Sequence, residues 1–562
     1  MRLSSDWVPS KLSAQSSLCA LAIVVFAVLA ISGVLFGPGS GGREFLRGWA
    51  RGDCALFFTS PAFLFLFLPV TLLIFYFLDR TVGQQALVPL LIFASLVFYS
   101  SWRLTFVWIL IASVIFNFSM RQILRSEHPR WTGHKRQVLG STIIVNLLSL
   151  AFFKYTNFFI ETIEGIIDVQ LKHPTILLPL GISFFTFQEI TLAVDTYRGA
   201  YRGGLAKYVL FVVFFPHLVA GPLVHHREMM PQFSRLRLHH YNIMVGLGLI
   251  AIGLFKKTVI ADSLSPWVRT VFDGDPTISV SLLEAWSGAA AYAFQIYFDF
   301  SGYSDMALGL ARLLGVRLPI NFNSPYKATS IVDFWHRWHI TLSRFLREYL
   351  YFPLGGNRRG SVRRYLNLMI VMLLGGLWHG ANWTFVVWGA LHGLMLALNH
   401  AWRAFCGTWP RASRFIPSGF ARALTFASVV IAWVPFRAPN LSRTWDMWKG
   451  MAGVNGVGNF LATLELPDII SAMDRLDLLN GSAILLPVLL LLYGVCIFLP
   501  NSMQIMGIRQ LAVSGGLELP PPHFNALAWR PNLLWALILG FIGGTGLLAG
   551  RSSVSEFLYW KF

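Results

Sequence analysis

Apolar runs close to bilayer length dominate this chain, among them Leu18 to Phe36, Phe57 to Leu78, Ala86 to Ser100 and Val138 to Phe153. About 20 apolar residues cross the hydrocarbon core as a helix. Lipid offers backbone N–H and C=O groups no partner, so each crossing is expected to be helical. The balance of residues agrees: 55% of the 562 residues are hydrophobic and 13% are charged, against about 25% charged in soluble domains. Counting runs by length predicts an all-α polytopic membrane protein with roughly 11–14 membrane segments, some of them short or re-entrant.

The net charge of +19 raises the question of nucleic acid, but its distribution answers it. The cations gather in short intervals between apolar runs: Arg121, Arg125, Arg130, Lys135 and Arg136, then Arg358, Arg359, Arg363 and Arg364, then Arg403, Arg411, Arg414 and Arg422. Such intervals mark cytoplasmic loops, so membrane lipids, not nucleic acid, are the expected polyanionic partner. Residues from about 440 to 482 carry Glu465, Asp468, Asp474 and Asp477 and are expected outside. Residues 1–56 read as an N-terminal extension with a retained anchor helix, and 57–562 as one membrane domain without internal repeats. The four cysteines, Cys19, Cys54, Cys406 and Cys496, have no zinc or C-x-x-C spacing.

Within that domain, residues from about 178 to 400 differ from their flanks because His, Asp, Arg, Trp, Gly and Pro interrupt the apolar background. Ionisable groups at membrane depth are expensive and mark sites or wet cavities. Function is therefore expected there. The Phe215-Pro-His through Ala220-Gly-Pro stretch predicts short or re-entrant helices.

Three constellations in this core could carry chemistry. The first contains Asp299, Ser301, Tyr303 and Asp305. Asp305 can be read as a helix N-cap or first-turn residue, or the group can be the wall of a polar cavity that positions substrate. The second runs from Asp333 through Trp335, His336, Arg337, Trp338 and His339 to Arg344. As a helix it would place positions 336, 339 and 343 on one face. No carboxylate or cysteine joins the two histidines at ligand spacing, so no metal is expected, and His339 is read as lining a polar cavity. The third is Gly375-Gly-Leu-Trp378-His379-Gly-Ala-Asn382. An imidazole in so apolar a setting is expected to be neutral and able to accept a proton at pH 7. Spacing alone leaves open whether His379 is a general base or a hydrogen-bonded interhelical strut.

The motifs Asp299-Phe-Ser-Gly-Tyr-Ser-Asp305, Asn323-Ser-Pro-Tyr326 through Asp333-Phe-Trp-His-Arg-Trp-His339, Leu354-Gly-Gly-Asn357-Arg358 and Leu377-Trp-His379-Gly resemble the membrane-bound O-acyltransferase family. Within it, the resemblance is to its bacterial branch that acetylates alginate and other exported polysaccharides, and it runs from about Ser60 to the C-terminus. It implies a helical bundle around a central funnel or tunnel, with His379 as the catalytic residue and His339, 40 positions earlier, as its polar partner. Asn323, Trp335, His336, Arg337, Trp338, Trp378 and Asn382 are carried as substrate or cavity-lining candidates. The resemblance further implies no bound cofactor, acetyl-CoA as acyl donor, a multi-pass place in the bacterial inner membrane, and as partners a periplasmic acetyltransferase and a polysaccharide secretion complex. D-Alanyl transfer to teichoic acid, peptidoglycan O-acetylation and, in a different class, transport are the alternatives. No second copy of the Trp-His-Gly or Asp-Phe-Ser-Gly-Tyr-Ser segments exists, which disfavours a paired-halves transporter.

Overall fold

The computed structural model describes residues 55–200, 203–237, 239–408, 417–457, 482–508, 527–552 and 557–558. The expected anchor in residues 1–56 falls almost wholly outside them, as does 458–481 of the expected external loop. The described residues are helices, turns and irregular connections, with no strand among them.

Among the described residues, six helices are long and apolar enough to cross a membrane: α1 (Phe63–Thr81), α3 (Leu104–Arg125), α4 (Lys135–Ile167), α6 (His240–Phe272), α12 (Ser418–Arg437) and the segment Leu533–Gly550 of a helix, α15, that runs on to Ser552. Two shorter apolar helices accompany them, α2 (Gln84–Ser100) and the segment Leu485–Phe498 of α14 (Ser482–Phe498). The 33 residues of α4 and of α6 rise about 50 Å each, more than the hydrocarbon thickness. Outward apolar side chains such as Leu533, Phe541 and Trp108 are exposed in the protein alone, which is the face lipid covers. The wider count of segments expected from hydrophobic runs includes helices packed largely inside the protein.

The central one of these is α7 (Leu282–Leu313), whose residues from Ala291 to Ala311 are all buried in protein. It packs along α6 through glycine pairs. A Cβ on Gly302 would lie 2.7 Å from the Gly253 carbonyl oxygen, and one on Gly309 would lie 2.5 Å from that of Gly246. Small residues let membrane helices approach to backbone contact, the main source of helix affinity where lipid and side chains are equally apolar. A capping box of Ser281 and Glu284 starts α7, so Asp305 does not begin a helix. It lies two turns before the helix end, because the Asp-Phe-Ser-Gly-Tyr-Ser stretch stays helical and its glycine serves packing, not a turn.

Polar contacts tie the outer helices on. Between α3, α4 and α5 (Ile182–Tyr197), Asn117 and Asn146 exchange hydrogen bonds of 3.1 and 2.7 Å, and Asn117 also donates to Glu189 at 2.8 Å. The chain from 214 to 225 breaks as expected: Phe215–Leu218 forms a single buried turn.

Two helices of seven residues follow α7: α8 (Ile331–Arg337) and α9 (Ile340–Leu346). A hairpin of α10 (Gly360–His379) and α11 (Trp383–Thr408) comes next. Its backbones touch at Gly376 and Gly389, where a Cβ would collide with the carbonyls of Phe385 and Met372. The helix α13 (Leu441–Met451) closes the part of the chain before residue 458.

Candidate active site

His339 stands at the junction of α8 and α9. The sequence pattern allowed one continuous helix through His336, His339 and Ser343, but the chain turns between them. Trp338 is extended and His339 is left-handed, at φ 42°, a conformation unfavourable for a residue with a side chain. Asn321 holds it there. Its backbone carbonyl accepts from Ile340 N–H at 3.0 Å, and its side-chain oxygen accepts from His339 Nδ1 at 3.1 Å and from Thr341 Oγ1 at 2.9 Å. One turn away, Asn323 N–H donates to the Arg337 carbonyl at 2.9 Å. The break therefore separates the two histidines. His336 is exposed, whereas His339 is fully buried. Because the Asn321 oxygen accepts, His339 carries its proton on Nδ1, which leaves Nε2 as a lone pair in the neutral ring.

His379 is the last residue of α10 and is 5% exposed. Its ring meets Trp378, Trp388 and Phe436 edge-on at centroid separations of 4.8, 5.0 and 5.2 Å. Trp378 lies between the two histidines, 6.4 Å from the His339 ring, and it is stacked on Phe187 at 5.4 Å. The end of α10 is anchored by α4: Tyr155 donates to the Leu377 carbonyl at 2.9 Å, and Lys154 donates to the carbonyls of Trp378 and His379, the latter at 3.0 Å. Helix ends leave carbonyls unpaired and carry negative dipole charge, so an ammonium there both pairs and stabilises them.

The remaining predicted residues divide. Trp335, against Trp388 and His392, and Trp338, against Trp433, form the aromatic wall behind His379. Arg337 is bound to Asp333 at 2.8 Å on a partly exposed face. Asn323 accepts from Asn501, and Asn382 accepts from Thr384 N–H at the start of α11. Asp299 and Asp305 pair with successive lysines of α6, Asp299 with Lys257 at 2.6 Å and Asp305 with Lys256 at 2.7 Å. Tyr303 stacks between Phe58 and Phe557. Ser301 and Asp305 line a small polar cavity with Lys256, Ser304, Asn321 and Ser502, which Asp299 and Tyr303 do not reach, and Asn321 joins it to His339.

Three contributors escaped the sequence reading. His392, fully buried against Trp388 at 4.8 Å, looked like one more polar residue in an apolar run. Asn321 has no local signature at all. Lys154 was detectable as a lone cation within the membrane run of α4.

Two buried imidazoles brought to one indole, in a bundle with several helices able to cross a membrane, define the class: a polytopic membrane protein with histidines in an apolar, aromatic interior. Comparison with known proteins gives the family. Residues 59–433 match the model of MBOAT, the membrane-bound O-acyltransferase family. The chain is 40% identical to the peptidoglycan O-acetyltransferase of Helicobacter pylori over 547 residues, which is 90% of this chain and 98% of that one. It is 38% identical to the probable alginate O-acetylase AlgI of Pseudomonas aeruginosa over 544 residues, 90% of this chain and 100% of that one. With the corresponding protein of Azotobacter vinelandii the identity is 43% over 403 residues, 70% and 77% of the two chains. The chain belongs to the membrane-bound O-acyltransferase family, and it is an O-acyltransferase.

Proposed function

We propose that the protein takes an acetyl group from acetyl-CoA on the cytoplasmic side of the bacterial inner membrane and delivers it for O-acetylation of an exported polysaccharide, with His379 as general base. The observation that carries the proposal is the pairing of His379 with His339 around Trp378, all three buried. A neutral His379 removes the proton from an incoming hydroxyl as the oxygen attacks the thioester carbonyl. Collapse of the tetrahedral intermediate expels the thiolate, which takes that proton back from the imidazolium, and leaves the acetyl ester on the acceptor. His339, with Nδ1 donating to Asn321, presents Nε2 as an acceptor toward the reacting hydroxyl. In this reading the two substrates meet through a passage open to both faces, and exclusion of water limits thioester hydrolysis. The arginines between the apolar runs attract the donor's phosphates.

The direct acceptor in this reading is a hydroxyl of a periplasmic partner acetyltransferase within a polysaccharide secretion complex. A peptidoglycan acceptor is the second reading, favoured by the 90% of this chain that aligns with the Helicobacter pylori relative. The test is incubation of purified protein with labelled acetyl-CoA and each candidate acceptor. Label in an alginate- or cellulose-like glycan or in the partner enzyme supports the first reading. Label in peptidoglycan alone supports the second, and no label in any hydroxyl acceptor refutes both.

A further inference from the structure

A second polar cluster lies on the far side of Phe187 and Phe345 from Trp378 and plays no part in the chemistry above. Asp195, near the end of α5 and buried, presents Oδ2 to His225 Nε2 at 2.9 Å, to His226 Nδ1 at 3.3 Å and to Tyr349 Oη at 2.8 Å. The two imidazoles are neighbours with ring centroids 4.6 Å apart. The histidine segment is tied to α9, because Glu228, just after the histidines, is held by Arg344 in a two-pronged pair at 2.7 and 3.0 Å, and the Tyr349 hydroxyl links the cluster to α5, standing 2.9 Å from His225 Nε2 and donating to Asp195 at 2.8 Å. The arrangement is therefore pre-organised.

We propose that Asp195, His225 and His226 form a binding site for a divalent metal ion of the zinc class, with the Tyr349 hydroxyl beside its open position. Two imidazole nitrogens and one carboxylate oxygen are a donor set that zinc takes at about 2.0–2.2 Å, leaving a fourth tetrahedral position for water or another ligand. Tetrahedral ligands at that radius sit roughly 3.3 Å from one another. The donor atoms of this cluster all lie within 4.8 Å of one another, and the two pairs with Asp195 stand at 2.9 and 3.3 Å, so small rotations close the shell. A cavity lined by His225, Tyr349, Thr191 and Thr341 adjoins the cluster and gives an ion a route in and room for its fourth ligand.

The proton count closes as well. Without metal, the Arg227 N–H donates to His225 Nδ1 at 3.3 Å, so Nε2 carries the proton and donates to Asp195. Metal binding moves that proton to Nδ1 by tautomer exchange, at the expense of one long, exposed hydrogen bond, and frees the Nε2 lone pair. His226, whose Nδ1 faces Asp195, likewise moves its proton to Nε2 and frees the Nδ1 lone pair, so both rings stay neutral and Asp195 remains anionic. The spacing hides the site from sequence inspection, because Asp195 stands 30 positions from His225 and the histidines are adjacent in place of the usual helical offset.

The experiment uses full-length protein in detergent with its purification tag removed, stripped by chelator and then dialysed against zinc or cobalt. Wild-type protein is expected to retain about one zinc per chain and, with cobalt, to show the visible absorption bands of a tetrahedral nitrogen–oxygen site. Asp195→Asn keeps a hydrogen-bonding oxygen but removes the charge, and is expected to lose at least about tenfold in zinc affinity. His225→Gln, expected to lose a similar factor, serves if that variant is not monodisperse. Absence of the cobalt bands in wild-type protein, or equal zinc retention by the folded variant, overturns the proposal.

Discussion

Replacing Asn321 by Ala probes the junction that places His339, and its effect can be worked out from the contacts. The substitution removes the acceptor for His339 Nδ1 and Thr341 Oγ1. A net hydrogen bond contributes about 1 kcal/mol, and a buried donor left without a partner costs about 1–3 kcal/mol. The left-handed backbone at His339, φ 42°, costs roughly 1–2 kcal/mol more than a right-handed one, and the side-chain clamp is part of what offsets it. The catalytic arrangement should therefore be disfavoured by about 2–4 kcal/mol, which at 1.4 kcal/mol per decade corresponds to a loss of tens-fold to several-hundred-fold in kcat. The buried helix α7 keeps its lysine pairs and glycine contacts, so the fold should persist. Acetyl transfer by monodisperse, purified variant measures the loss, and Asn321→Asp, which retains the acceptor oxygen, should recover part of it. Wild-type kcat in Asn321→Ala would refute the idea that this amide positions His339.

The other expectations concern separate parts of the same structure. His339→Ala should lower kcat severely with little change in melting temperature, and unchanged kcat would reduce His339 to packing. Lys154→Met removes the ammonium from the Trp378 and His379 carbonyls and should slow transfer by about tenfold, a loss in the range of one buried hydrogen-bond partner. Steady-state kinetics decide it. Gly302→Val drives a side chain into the Gly253 carbonyl and should destabilise the α6–α7 contact by about 1–3 kcal/mol or more, read as a lower melting temperature in detergent. A variant with wild-type melting would show that the two backbones can separate freely.

Legibility of the fold from sequence followed from the length of the forces involved. Membrane crossing is a local property of some 20 residues in a row, so α1, α2 and α4 are visible in the runs that build them. The polar core was visible too, because His, Asp and Arg stand out against lipid-like neighbours, and both His339 and His379 lie there. The failures are long-range. Nothing near Asp305 reveals that Lys256 neutralises it from another helix, so a helix start was a fair alternative to the mid-helix ion pair that exists. The left-handed turn at His339 arises from hydrogen bonds to Asn321, 18 positions earlier, whereas local periodicity favours an unbroken helix. His392 joins the site only because Gly376 and Gly389 bring α10 and α11 into backbone contact.

The most direct test of the central claim is single-turnover transfer of labelled acetyl from acetyl-CoA to its hydroxyl acceptor by wild-type protein and by His379→Ala, compared at matched protein and detergent concentration. The His379→Ala protein is expected to stay folded and to bind the donor, yet to transfer no label above the uncatalysed background. Transfer at the wild-type rate by that variant would contradict the claim.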